Sequence, residues 1–273
     1  MPHWDISLGN DPRAAVATMA RRSADLVRSV ADASAPTLGV WDAGQLAAHI
    51  THVFEVDADL INEVPSPLAD LDDLGELTQS KVRDEAVHDL GALAARIESA
   101  AETFLAVAAK VDGHAPRDWL GGARVTASVL ACHIVSECLV HGRDLSKATG
   151  QRWPLERTDA VLAFRGFICP MYRALGRPTY AVHPERAAGL RATYDIRIRG
   201  GGRVFFVFAD GGLTIEDPSN RKVDCHLSID PRALVLLAWH RTGLAPPLLR
   251  GQISTWGRRP WLAPRLPGLI RPP

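Results

Sequence analysis

In the segment ACHIVSECLVHGRDL (131–145), His133, Glu137, His141 and Asp144 recur at three- and four-residue steps. On a helix that spacing returns all four to one face, within about 80° of arc. Val129, Leu130, Ile134, Val140 and Leu145 flank the stripe, so it runs down the middle of an apolar face instead of a solvated one. Burying a carboxylate beside imidazoles without compensation costs several kcal/mol, which an ion pair, a hydrogen-bond network or a metal has to offset. A second segment, WDAGQLAAHITHVFEVDADL (41–60), puts His49 on the arc of Leu46, Val53, Val56 and Leu60, with His52 at its edge near Asp59 and Glu63. Two neutral imidazoles and a carboxylate converging from two helices suit zinc or another divalent ion, with a fourth position open to water or substrate. His49, Glu137 and His141 are therefore the candidate ligands. The same spacing also fits a Glu–His pair one turn apart and a hydrogen-bonded core histidine. For His133 and Asp144 core packing is the plainer role; His133 as an outer partner, and Asp144 orienting a ligand histidine, are the alternatives.

The elements that must hold these residues are helices. Asp11 and Pro12 open a 3.6-period segment that extends to about Ala33. Asp42 with Gln45 forms a capping box, and Trp41 with Leu46 a hydrophobic staple, for a second helix that runs to about Glu63 before Pro65. The acidic stretch Asp70 to Glu76 reads as a loop or helix entry. A third helix is expected over 84–111 and a fourth over 124–149, stopped by Gly150. Together they predict an antiparallel four-helix bundle over 1–150. A linking helix (about 156–175) then gives way to period-two texture. Strands are expected at 192–199, 204–208, 213–216 and 223–229, and a helix from Pro231 to about Arg241, so residues 181–273 form an α+β domain after a 151–180 linker. Gly200, Gly201 and Gly202 connect two strands, which suits a hairpin turn and not a phosphate loop.

The formal charge is zero, but the first 150 residues carry 12 Lys and Arg against 22 Asp and Glu, and the remainder 19 against 9. Neutrality argues against a general nucleic-acid binder, and the opposed halves favour mutual docking of two domains. A hydrophobic fraction of 47% excludes a disordered chain. The opening MPHWDISLGND has no basic segment followed by an apolar run, and no later stretch is apolar for the length a bilayer requires, so a cytoplasmic location without a transmembrane segment is expected. Four cysteines in so long a chain are not a disulfide framework, and reduced thiols are expected.

At WDAGQLAAHI (41–50) and SECLVHGRDLSKATG (136–150) the sequence resembles the N-terminal domain of the mycothiol-dependent maleylpyruvate isomerase family, a branch of the DinB-like four-helix metalloproteins. The resemblance covers roughly residues 12–150. It implies a histidine ligand on the tryptophan-led helix and a glutamate and a histidine on the later one, matching His49, Glu137 and His141. GGRVFFVFADGGLTIED (201–217) and LLRGQISTWGRRPWLAPRLPGLI (248–270) resemble a sterol-carrier-protein-type domain, in which strands and helices surround an apolar tunnel.

What the resemblance implies is an enzyme that binds the thiol of mycothiol at an open zinc position and uses it on a small electrophile, either to isomerise an alkene or to displace a leaving group. An arginine of the second domain is expected to hold the substrate's carboxylate, Arg241 first and Arg250 second. The competing expectation is a non-catalytic carrier of an apolar ligand, its tunnel lined by Phe205, Val207 and the helix Leu234 to Trp239. Association of the basic C-terminal end with anionic membrane is a third expectation, for which docking between domains is the simpler use of the same charge. The substrate and the oligomeric state are not legible in the sequence.

Overall fold

The computed structural model describes residue 4 and residues 10–37, 41–66, 68 and 70–273. It divides into two compact units, 1–155 and 156–273. In the first, Asp11 accepts a hydrogen bond from the Arg13 amide and caps α1 (Pro12–Arg28). The helix ends short of Ala33 because local turns take over. The Ser29 hydroxyl donates to the Leu26 carbonyl at 2.7 Å, and the Asp32 carboxylate accepts from the Ser34 amide at 2.9 Å. Helix α2 (Ala43–Ile61) starts with the expected reciprocal capping box of Asp42 and Gln45. At its far end the buried Arg117 donates to the Ile61 carbonyl at 2.9 Å, satisfying a terminal acceptor.

The helix expected over 84–111 is α4 (Leu90–Ala108), which starts six residues later, and a separate helix that was not expected, α3 (Leu74–Arg83), precedes it. The intervening residues prefer side-chain turns: Glu85 accepts from the Val87 amide, and Asp89 caps α4 through the Ala92 amide. Helix α3 buries only Val82, so it leaves little apolar period in the sequence. The fourth helix also starts later than expected. Arg124–Thr126 (β2) pairs antiparallel with Pro116–Asp118 (β1), and α5 (Ala127–Thr149) follows, ending on Gly150 at φ 70°. Helices α1 and α2 each pack against both α4 and α5, giving the four-helix bundle.

Helix α5 is buried along most of its length, and Gly142 explains how a tryptophan reaches its backbone. A Cβ on Gly142 would lie 2.3 Å from the Trp153 ring, which is held on its other side by the Arg22 guanidinium, 4.2 Å from the ring centroid. Gly142→Ala is therefore expected to destabilise the helical unit by about 1–3 kcal/mol, read by urea denaturation.

In the second unit, α6 (Arg157–Val161), a π-helical stretch (Leu162–Ile168) and α7 (Cys169–Leu175) follow one another directly. Pro170 lacks an amide hydrogen and its ring crowds the preceding turn; the widened turn, in which the Cys169 amide donates to the Phe164 carbonyl, accommodates it. A short α8 (Pro184–Ala187) precedes the strands β3 (Ala192–Ile198), β4 (Gly202–Ala209), β5 (Gly212–Glu216) and β6 (Cys225–Ile229). Asp230 caps α9 (Pro231–Ala238), and α10 (Ala245–Leu249), β7 (Ile253–Trp256) and α11 (Leu266–Leu269) complete the unit. The sheet order is β5-β4-β3-β6-β7, with β3 and β6 parallel and every other pair antiparallel. One sheet face, with Ile196, Phe206 and Leu227, shares a cavity of about 60 Å³ with Phe164, Leu234 and Leu237. The edge strand β7 was not expected from sequence, since its alternation is masked by Ser254 and Thr255.

Candidate metal centre

Helices α2 and α5 bring His49, Glu137 and His141 together, with one ligand atom from each lying within 4.8 Å of the others. Glu137 Oε2 is 3.4 Å from His49 Nε2 and 3.3 Å from His141 Nε2. The two imidazoles meet edge to face, with centroids 4.6 Å apart. A tetrahedral zinc ion with bonds of about 2.0–2.1 Å has ligand-to-ligand edges of about 3.3 Å. The two nitrogen-to-oxygen separations fit that edge, and with all three ligand atoms within 4.8 Å of one another the donor set suits a divalent metal in type and comes near it in spacing.

The electrostatics keep these groups in the forms a metal needs. Burial pushes His49 down to about 4 against the pull of Glu137, leaving a neutral imidazole at neutral pH. Burial would raise Glu137, but the imidazoles of His133, His141 and His49 outweigh it and hold the carboxyl well below its usual range. Trp41 lies against His49, with ring centroids 4.8 Å apart, and is anchored by its indole N–H donating to Gln79 on α3 at 2.9 Å. Helix α3, which the sequence reading passed over, thereby fixes the wall beside one ligand.

His133 lies next to the ligands but faces an acid. Its Nδ1 is 2.7 Å from Asp57 Oδ2, and its Nε2 is 3.6 Å from Glu137 Oε1. Asp57 is fully buried, and the Trp119 ring meets His133 edge-on at 4.8 Å. Burial opposes the charge on His133, but Asp57, then Glu137, raise it to about 10. Asp57 escaped notice in the sequence although a signal was present: it stands two turns beyond His49 on the same apolar face as Val53 and Leu60.

The other sequence candidates fall elsewhere. His52 pairs with Glu85 at 2.7 Å and not with Asp59 or Glu63; Arg96 joins Glu85 to Glu55, tying α4 and the α3–α4 connection to α2. Asp144 is buried on α5, three residues beyond His141. Arg241 belongs to the second unit, where its Nη1 donates to the Trp239 carbonyl at 2.9 Å, and Arg250 is exposed there. The four cysteines are buried, and none forms a disulfide.

Comparison with known proteins identifies a domain in each unit. The profile described as mycothiol maleylpyruvate isomerase N-terminal domain matches residues 13–146, and the one described as SCP-2 sterol transfer family matches residues 173–256. Residues 13–146 therefore form a mycothiol maleylpyruvate isomerase N-terminal domain. Two crystal structures extend the likeness in fold to both units of the chain. One, of a histidine-to-alanine mutant of the mycothiol-dependent maleylpyruvate isomerase, is 12% identical and covers 89% of this chain and 91% of its own, with a TM-score of 0.53. The other, of the mycothiol-dependent maleylpyruvate isomerase, is 13% identical and covers 85% and 88%, with a TM-score of 0.52. None of the curated proteins matches the sequence significantly. The α-helical bundle and the sheet domain expected from sequence are thus the two-domain layout shared with these structures, and no helix among the described residues is long and apolar enough to cross a membrane.

Proposed function

We propose that this chain is a metal-dependent enzyme that uses mycothiol, as an isomerase or a thiol S-transferase, on a small electrophilic substrate bearing a carboxylate. The convergence of His49, Glu137 and His141 on one point carries this reading. Zinc or another divalent ion held there would bind the thiol and lower its pKa enough to supply a thiolate nucleophile at neutral pH. The chain's own residues prepare for this. His49 stays neutral and offers a lone pair, Glu137 stays ionised and supplies the one negative charge of the set, and burial of Glu137 and His141 limits water at the centre. The protein's thiols are poor rivals, because burial pushes both Cys138 and Cys169 up to about 12. Arg241 of the second unit is assigned the substrate carboxylate, with Arg250 as the alternative.

Cobalt-loaded protein titrated with mycothiol tests the proposal. A thiolate-to-cobalt charge-transfer band that saturates is the expected result, and a metal-loaded protein whose spectrum ignores the thiol would overturn it.

The sterol-transfer match and the apolar cavity favour a second reading for the C-terminal unit, as a binder of an apolar ligand. At about 60 Å³ the cavity is smaller than the roughly 150 Å³ that admits benzene in an engineered core, so an acyl chain would have to open it. If the chain is only a carrier, stripping the metal with a chelator leaves acyl-chain binding intact and no thiol response is found.

A further inference from the structure

The two oxygens of Glu137 face different partners. Oε2 is the atom that both ligand imidazoles approach, at 3.3 and 3.4 Å, whereas Oε1 is turned toward the Nε2 of His133 at 3.6 Å. His133 is in turn fixed from behind by Asp57 at 2.7 Å and from the side by the Trp119 ring. A carboxylate free to rotate can offer a divalent ion one oxygen or both, and taking both uses up a coordination position. We propose that His133, held by Asp57, is a positioning residue that reserves Glu137 Oε1 for itself. Glu137 then coordinates through Oε2 alone, and the position left open is the one the thiol requires. This rests on the metal-centre reading given above.

The charges agree with the geometry. His133 and Asp57 form a neutral pair, so they stabilise the orientation of Glu137 without adding net charge beside the centre. A divalent ion with neutral His49, neutral His141 and a single carboxylate retains one positive charge. That charge favours an anionic thiolate over a neutral thiol at the open position. The sequence spacing serves the same end: 133, 137 and 141 are successive four-residue steps, which set His133 and His141 on opposite sides of Glu137 along α5.

Removing His133 alone would strand a buried Asp57, so the informative variant is Asp57→Leu/His133→Phe, with Asp57→Asn/His133→Leu as a second route should the first fail to fold. Each is loaded with one equivalent of cobalt and compared with wild type by visible absorption, in which four-coordinate cobalt absorbs intensely and five- or six-coordinate cobalt weakly. The expected result is a weakened band together with mycothiol affinity reduced about tenfold or more. Asp57→Asn/His133→Gln, which keeps an N–H within similar reach of Oε1 and leaves no buried charge at 57, should restore the wild-type band. A merely structural contact would lower cobalt affinity and leave the band intensity per bound ion unchanged, and that outcome overturns the proposal. If wild-type protein takes up no cobalt at all, the metal-centre reading fails and this inference falls with it. If wild type binds cobalt and the double variants give its full spectrum, only the role of His133 is refuted.

Discussion

Protein carrying Glu137→Ala is expected to purify without stoichiometric divalent metal, its affinity reduced by more than about a hundredfold. Loss of an outer partner of a metal ligand already costs roughly 10–100-fold, and Glu137 is the ligand itself and the only anion in the set. His49→Ala and His141→Ala should each have effects of the same order, because three protein donors leave no redundancy. Competition against a chromophoric chelator measures this directly. Cys138→Ser serves as the control that leaves affinity unchanged, since the thiol is buried and held up at about 12. The pH profile should be distinctive as well. A histidine of ordinary basicity, at 6.5, would begin to lose metal to protons below that value, whereas His49, held near 4 by burial, should go on competing for metal at pH 5.5. A Glu137→Ala protein that binds zinc as tightly as wild type would exclude the three-ligand centre.

How far these features were legible in the sequence depended on whether they were local. The stripe on α5 and the capping box of α2 were legible because each is set by residues within one or two helical turns, and helix periodicity converts that spacing into a face. Glycine at 150 likewise ends α5 through its own backbone freedom. The later start of the third expected helix was missed because 84–89 is held by side-chain-to-amide turns at Glu85 and Asp89 that compete with helix on nearly equal terms. The partner of His52 was not legible, for a different reason. Asp59 and Glu63 are near it in sequence, but Glu85 reaches it from the α3–α4 connection, a relation that only packing creates. His133 was read first as a core-packing residue and only alternatively as an outer partner, because its setting depends on Asp57, 76 residues earlier in the chain. A test for polar residues within an apolar arc, applied to α2 as it was to α5, marks Asp57 as the residue requiring explanation.

The pair formed by Asp57 and His133 should also give a large and oddly shaped stability effect. Replacing one partner leaves a buried uncompensated charge: His133→Leu strands Asp57, and Asp57→Leu strands His133. Either change is expected to destabilise the metal-free helical unit by about 3–5 kcal/mol. Replacing both, as Asp57→Leu/His133→Phe, should be close to neutral, because the desolvation cost disappears along with the attraction. The double-mutant cycle measured by chemical denaturation therefore predicts a coupling about as large as the two single effects added together. Direction with pH follows from the shift of His133, which Asp57 and Glu137 raise from 6.5 to about 10 against the opposing effect of burial. Its stabilising contribution is fully present below about pH 6.5 and is lost as pH rises through about 10. His49 acts with the opposite sign. Lowered to about 4, it contributes stability above pH 6.5 that is lost as pH falls toward 4. Wild-type metal-free protein should thus lose stability between pH 7 and 10, and the double variant should lose markedly less over that range. Equal slopes in the two proteins would mean that His133 is uncharged in the fold, and the ion pair with Asp57 would have to be redrawn as a neutral hydrogen bond.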